Sequence, residues 1–423
     1  MFQKTKLVVL LVSTLIVLYG IVGALLPYAI PANEAYEGLN LFSAVLDHVR
    51  KDYVEEPDLR LALRGAIQGM VEALDPYAGF ITAADYAALR EPGAGDVGLT
   101  VSKRYGYVYV VAVLAGSPAE GAGLRTGDLI EAIDGQSTAL MCAWEAQRRL
   151  RGEVGSPVKL KVIRSRRSEP QELELVRARL EPKEPRLEWL EEGIALVSLA
   201  SLNEGAAETV SKLLEQAVRE GAAGILLDLR NVATGELAEA VRLADALLPE
   251  GAKVLEIQGK GSRTEVFTSR RAPVIGETPL AVLVSGGTSG PAEVVAAALQ
   301  DAGRATLVGE RTDGRGVVLG EVSLADGSLL VVPTGVLVRP SGEKLGGTEV
   351  RRAGVTPDLE APDRDFVSTF YFDHVDEATA DAPSDEFYAE LDAAVRKEQL
   401  RVAVSALREK IEESPQKSLQ QAA

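Results

Sequence analysis

The residues best placed to do chemistry in this 423-residue chain lie in the stretch 279–318, PLAVLVSGGTSGPAEVVAAALQDAGRATLVGERTDGRGVV. Residues 285–290 are a turn of small side chains that carries the hydroxyls of Ser285, Thr288 and Ser289. Pro291 then stands where a first helical residue stands, because its missing N–H is not needed there. Glu293 falls in the first turn, where negative charge meets the helix dipole. Backbone N–H groups at such a turn are expected to point outward, where an anion or a reacting carbonyl can be held. The two histidines, His48 and His374, are far away in sequence, which counts against a Ser-His-Asp triad and a multi-histidine metal centre. Cys142 is the one cysteine, so no internal disulfide forms.

The elements that must position this turn are legible around it. The continuous apolar run 280–284 suits a buried strand of a parallel sheet. Residues 294–302 read as a helix of small and branched side chains that packs closely on a sheet. Residues 306–308 return as a second strand, and Gly309 opens another glycine-rich turn.

The text V-L-V-S-G-G-T-S-G-P-A-E-V-V-A-A-A-L-Q-D, followed by G-E-R-T-D-G-R-G-V-V-L, resembles the carboxy-terminal processing peptidases, or tail-specific proteases. Their signature reads V-L-V-N-x-x-S-A-S-A-S-E-I-x-A-x-A-L-Q-D, then G-E-x-T-F-G-K-G-x-V-Q, and the frame aligns without a gap. The resemblance implies a crotonase-like α/β core. It also implies a serine nucleophile, a lysine base and a glutamine that steadies the lysine, at the positions held here by Gly290, Arg315 and Leu319. All three are substituted. Ser289, next to the vacated position, is the fallback nucleophile, but arginine cannot serve as its base. Lys253, Lys260 and Lys344 stand in segments with no match to the family's base. The structural reading, Ser289 as a turn residue that caps the helix, is preferred. Arg315 either binds a carboxylate or is a solvated turn residue between two glycines.

Composition sets the remaining bounds. The chain is 46% hydrophobic and 25% charged, a globular balance, with room for two to four domains. A net charge of −17 argues against a nucleic-acid partner. Lys4 and Lys6 precede an apolar segment, residues 7 to about 26, long enough to cross a bilayer core. It is expected to be an uncleaved single-pass anchor, with the bulk of the chain outside the cytoplasm, in the periplasm.

Five regions follow: the anchor at 1–32, a helical region at 33–92, a PDZ-like domain at 93–182, the peptidase-like core at 183–362, and an acidic linker with a C-terminal helix at 363–423. Residues 113–135, VLAGSPAEGAGLRTGDLIEAIDG, resemble PDZ text, and Gly98-Leu99-Thr100-Val101 stands where PDZ domains carry a G-Φ-G-Φ loop. Such a domain accepts an extended peptide as an added strand and holds its terminal carboxylate on backbone N–H groups. Val97, Gly98, Leu99 and Thr100 are the candidate peptide-binding residues, with Thr100 in place of the second glycine. In the core, L-D-L-R-N-V-A-T-G at 227–235 resembles the family's L-D-L-R-N-N-P-G-G, whose paired glycines serve the oxyanion. Thr234 replaces the first and is expected to re-shape the turn.

The expected function is a membrane-anchored, non-catalytic family member that binds protein C-termini or envelope partners through its PDZ domain. It would act as a homo-oligomer or beside an active homologue, without metal or cofactor. The alternative is an active serine endopeptidase that uses Ser289.

Overall fold

A computed structural model describes residues 33–91, 93–104, 106–164, 170–181, 183–346, 353–362 and 385–413, besides residues 14 and 367. Apart from residue 14, the apolar segment 7–26, the acidic linker and the polar end 414–423 lie outside the described residues. Among the described residues no helix is long and apolar enough to cross a membrane. Residues 1–66 and 67–423 form two compact units. In the first, helix Asn33–Asp52 ends in a cluster of surface ion pairs, with Arg50 and Lys51 on Asp47 and His48 on Asp52. Such exposed pairs each contribute well under about 1 kcal/mol.

The second unit holds three sheets. β1 (Gly79–Ile81) follows a turn in which the Asp75 carboxylate accepts from the amides of Tyr77 and Ala78. Six strands then build the expected PDZ segment: β2 (Leu99–Arg104), β3 (Tyr107–Val113), β4 (Leu129–Ile133), β5 (Gln136–Ser137), β6 (Pro157–Ile163) and β7 (Gln171–Val176). Their antiparallel order is β2-β3-β4-β6-β7, with β5 paired to β4, so β2 is an edge strand. The sheet wraps one core that includes Val101, Val110, Ile130, Leu150 and Leu160. The Asp134-Gly135 turn takes positive φ at both residues, as a tight hairpin requires. The expected bounds of this domain, 93–182, take in all six strands. In the edge strand β7, Leu173 and Leu175 pack on the core while Val176 is exposed.

The core sheet interleaves with the third. Its strands are β8 (Arg186–Trp189), β9 (Ile194–Ser198) and β10 (Gly224–Asp228). The chain then forms β11 (Lys253–Gly259) and β12 (Thr264–Thr268) of the third sheet before returning as β13 (Leu280–Val284) and β14 (Thr306–Gly309). β15 (Val317–Ser323) and β16 (Leu329–Val338) complete the third sheet, and β17 (Leu359–Glu360) ends the core sheet. The core order is β17-β14-β13-β10-β9-β8, parallel except for the β8–β9 hairpin. The apolar run of β13 is buried at every position, because both faces of the sheet are covered. Ile225, Leu227, Leu280 and Val282 face the helices Ala206–Arg219, Leu237–Leu247 and Pro291–Asp301. Leu226, Ala281 and Leu283 alternate to the other face, under Ala403 and Leu407 of helix Asp385–Glu413. At the end of β10, Arg230 grips Asp228 and also reaches Gln399 of that C-terminal helix. The turn 285–290 thus leaves the carboxyl end of a central parallel strand, where α/β sheets present their crevice.

Leu227 is fully buried between helices and sheet. Leu227→Ala is expected to lower unfolding stability by about 2–5 kcal/mol, measured by urea denaturation. Val54→Ala, at a residue that is 90% exposed, should stay within about 0.5 kcal/mol.

Candidate functional site

One carboxylate organises the site. Glu293, fully buried, accepts at Oε2 from the amides of Gly290 (2.8 Å) and Arg315 (2.9 Å). At Oε1 it accepts from the Gly314 amide (2.7 Å) and the Thr312 hydroxyl. The Thr312 hydroxyl oxygen in turn accepts from the Val355 amide at 2.7 Å. Glu293 therefore pins the turn that ends at Gly290 to the loop 312–315. Tyr77 adds a further tie, its hydroxyl donating to the Gly314 carbonyl at 2.9 Å. Burial, foremost, and the nearby Asp313 carboxylate push the Glu293 pKa from 4.5 up to about 7, against the donors that favour its charged form.

Ser289 faces inward. It is 1% exposed, and its hydroxyl donates to Asp313 Oδ2 at 2.8 Å. Asp313 also accepts from the hydroxyl of Tyr109 on β3, so this buried carboxylate joins the PDZ segment to the core. Thr288 closes the turn on itself, taking the Ser285 amide and donating to the Leu229 carbonyl. Two expectations are corrected here. Ser289 does not cap the helix, because its hydroxyl is committed to Asp313 and the end is satisfied by Glu293 on the Gly290 amide. The turn's amides do not point outward either: Ser289 N–H donates to the Val232 carbonyl at 3.0 Å, and Gly290 N–H to Glu293.

Gly290 and Arg315 do meet. Both line a cavity of about 670 Å³ that reaches Gly98, Leu99 and Thr100 of the PDZ loop. Gly290 holds φ +58, and a Cβ built there meets nothing within 4 Å, so the position that the resemblance gives to the nucleophile faces open space. Arg315 is half-buried, and among the described residues its guanidinium has no hydrogen-bond or ion-pair partner. Leu319 does not join them. It packs instead beside the cluster of Ile81, Cys142, Leu329 and Val331. Val97 is buried beneath the loop rather than lining the cavity.

The turn 231–235 borders the same cavity. Thr234 avoids positive φ; Asn231 (φ 59) and Gly235 (φ 139) take it instead. Gly235 is required there, since a Cβ would lie 2.4 Å from the Leu202 carbonyl oxygen. Ser201 and Thr234 offer hydroxyls to the cavity, but no lysine or histidine is among the described residues that line it. The arrangement can bind an extended chain and place a positive charge beside it. It presents no amine to activate a hydroxyl.

Glu293 is legible in the sequence only as a helix-dipole residue, and Asp313, Tyr109 and Tyr77 carry no local signal of their contacts. The spacing of Glu293, three residues after the helix-capping Gly290, is half of a capping box and marks the first of these contacts. Glu293→Gln puts a donor against two of the four donors now satisfied. It is expected to cost about 2–4 kcal/mol of stability in urea denaturation. The group's folded pKa is raised, so its stabilising contribution is full below about pH 4.5 and is lost as pH rises through about 7. The Gln variant should lack that slope.

Residues 193–361 match peptidase family S41, and residues 109–164 match the PDZ domain. The chain is 33% identical over 321 residues to a carboxyl-terminal-processing protease of Synechocystis sp., covering 73% of this chain and 74% of that one. It is 29% identical over 333 residues to a carboxy-terminal-processing protease of Bartonella bacilliformis, covering 77% and 75%. Among solved structures, a photosystem II D1 C-terminal processing protease superposes with a TM-score of 0.63 at 28% identity, over 77% of this chain and 88% of that one. The gap-free signature, the parallel core sheet with its turn after β13, the PDZ segment ahead of it and these similarities agree: the chain belongs to the carboxy-terminal processing peptidases.

Proposed function

We propose that this chain is a non-catalytic member of its family that holds protein C-termini rather than cutting them. The observation that carries the reading is the cavity shared by Gly290, Arg315 and the PDZ loop. At the nucleophile position there is no side chain. At the base position stands a guanidinium, which stays charged and cannot accept a proton. Its fork of donors suits main-chain carbonyls or a carboxylate of a bound segment. Thr100, half-buried in place of a glycine, crowds the carboxylate-holding turn and keeps binding weak.

A second reading, an active serine endopeptidase, draws on the 2.8 Å hydrogen bond from Ser289 to Asp313. The burial of that hydroxyl and its absence from the cavity wall oppose it. Loss of nucleophile and base together lowers hydrolysis on the order of a millionfold in a comparable hydrolase.

For the whole protein, the apolar segment 7–26 with Lys4 and Lys6 supports a single-pass anchor and a periplasmic body. A homo-oligomer, or association with an active homologue, suits a chain that binds without cutting.

The purified chain is expected to leave unstructured proteins with apolar C-termini intact and to remain unlabelled by serine-directed covalent probes. Cleavage that Ser289→Ala abolishes would establish the second reading instead. Peptides with a free C-terminal acid should bind weakly, and amidated ones more weakly still; equal binding of the two forms removes the carboxylate claim. Protease added to intact spheroplasts should digest the body of the protein, and its protection would reverse the topology.

A further inference from the structure

The edge of β2 is already occupied. β2 pairs with β3 on one side, and its other side is the open edge of the sheet. Along that edge lies the short helix Ala143–Arg149, and from it Gln147 reaches across to the strand. Its carboxamide oxygen accepts from the Val101 amide at 3.0 Å, and its carboxamide nitrogen donates to the Leu99 carbonyl at 2.8 Å. These are one donor and one acceptor two residues apart, the groups that an added strand uses. A primary amide offers the same acceptor and donor as a peptide unit. Gln147 therefore stands in for one residue of a bound strand. Val101 is moreover the last residue of the Gly98-Leu99-Thr100-Val101 loop, whose amides hold a terminal carboxylate in a working PDZ domain. Gln147 and Leu99 both line the cavity that continues to Gly290 and Arg315.

We propose that Gln147 is a latch on the peptide site: its carboxamide closes the β2 edge in the free protein, and an incoming C-terminal segment must displace it to pair with Leu99 and Val101. This rests on the peptide-binding reading given above and adds the residue that sets its affinity. The ligand is an extended peptide with a free terminal carboxylate, which competes for the Val101 amide. A side chain that gives up two hydrogen bonds on binding raises the dissociation constant. Removing it relieves that cost.

The test compares the full chain with its Gln147→Ala and Gln147→Glu variants, titrated with a fluorescent decapeptide that ends in apolar residues and a free acid. Gln147→Ala should bind about tenfold more tightly than the unaltered chain, the scale of two modest net hydrogen bonds. Gln147→Glu still accepts from Val101 but cannot donate to Leu99, and its charge repels the carboxylate, so it should bind more weakly than the unaltered chain. In the absence of peptide, hydrogen exchange at the Val101 amide should be faster in Gln147→Ala than in the unaltered chain. Equal or weaker peptide binding by Gln147→Ala, while the unaltered chain binds, overturns the latch and leaves the peptide-binding reading standing. Binding by none of the three proteins overturns that reading itself. Unchanged exchange at Val101 in Gln147→Ala overturns the latch whether or not peptide binds.

Discussion

The arrangement of the site depends on the buried carboxylate of Glu293. Two loops, 285–290 and 312–315, come from different places in the chain and meet over the carboxyl end of β13. Each arrives with backbone amides that have no partner of their own. An acid with four lone-pair directions, placed three residues into the helix, satisfies Gly290, Gly314, Arg315 and Thr312 at once. The cost is a charge in a dry interior beside Asp313, which is why its pKa rises to about 7. The Ser289 hydroxyl on Asp313 and the Asp313 amide on the Thr288 carbonyl join the same two loops, but among the described residues Glu293 alone reaches the amides of both Gly290 and Arg315.

The proposed reading sets this scaffold beside a glycine and an arginine at the positions where the resemblance expects a nucleophile and a base. Gly290 and Arg315 still share a cavity with the PDZ loop, and the 231–235 turn still borders it. Tyr109 to Asp313 and Trp144 to Glu321 tie the PDZ segment to the core, and Arg149 to Asp85 ties it to the N-terminal helical region. Arg125 reaches Asp392 of the C-terminal helix at 2.7 Å. In the proposed reading, an arginine beside the shared cavity suits recognition without turnover.

Much of this was legible in the sequence, for physical reasons. The strand 280–284 could be read because a strand buried on both faces must be apolar throughout. Pro291 marked the helix start because only a helix's first turn tolerates it. The C-terminal helix within 363–423 was likewise expected. The inward turn of Ser289 was not legible, since it depends on Asp313, 24 residues later, being folded back by Glu293. Gln147 was hidden for a similar reason: a glutamine on a short helix reads as solvated until the neighbouring strand edge is known. β7 carries little signal of its own, because an edge strand with a wet face has few apolar residues.

The most direct test of a site that binds without cutting is a crystal structure of the chain grown with excess free-acid decapeptide. The account predicts an intact peptide paired along β2, its terminal carboxylate at the Gly98–Val101 loop, Gln147 swung away and the chain running into the cavity past Arg315. A shortened product in the cavity, or an acyl group on Ser289, would contradict it.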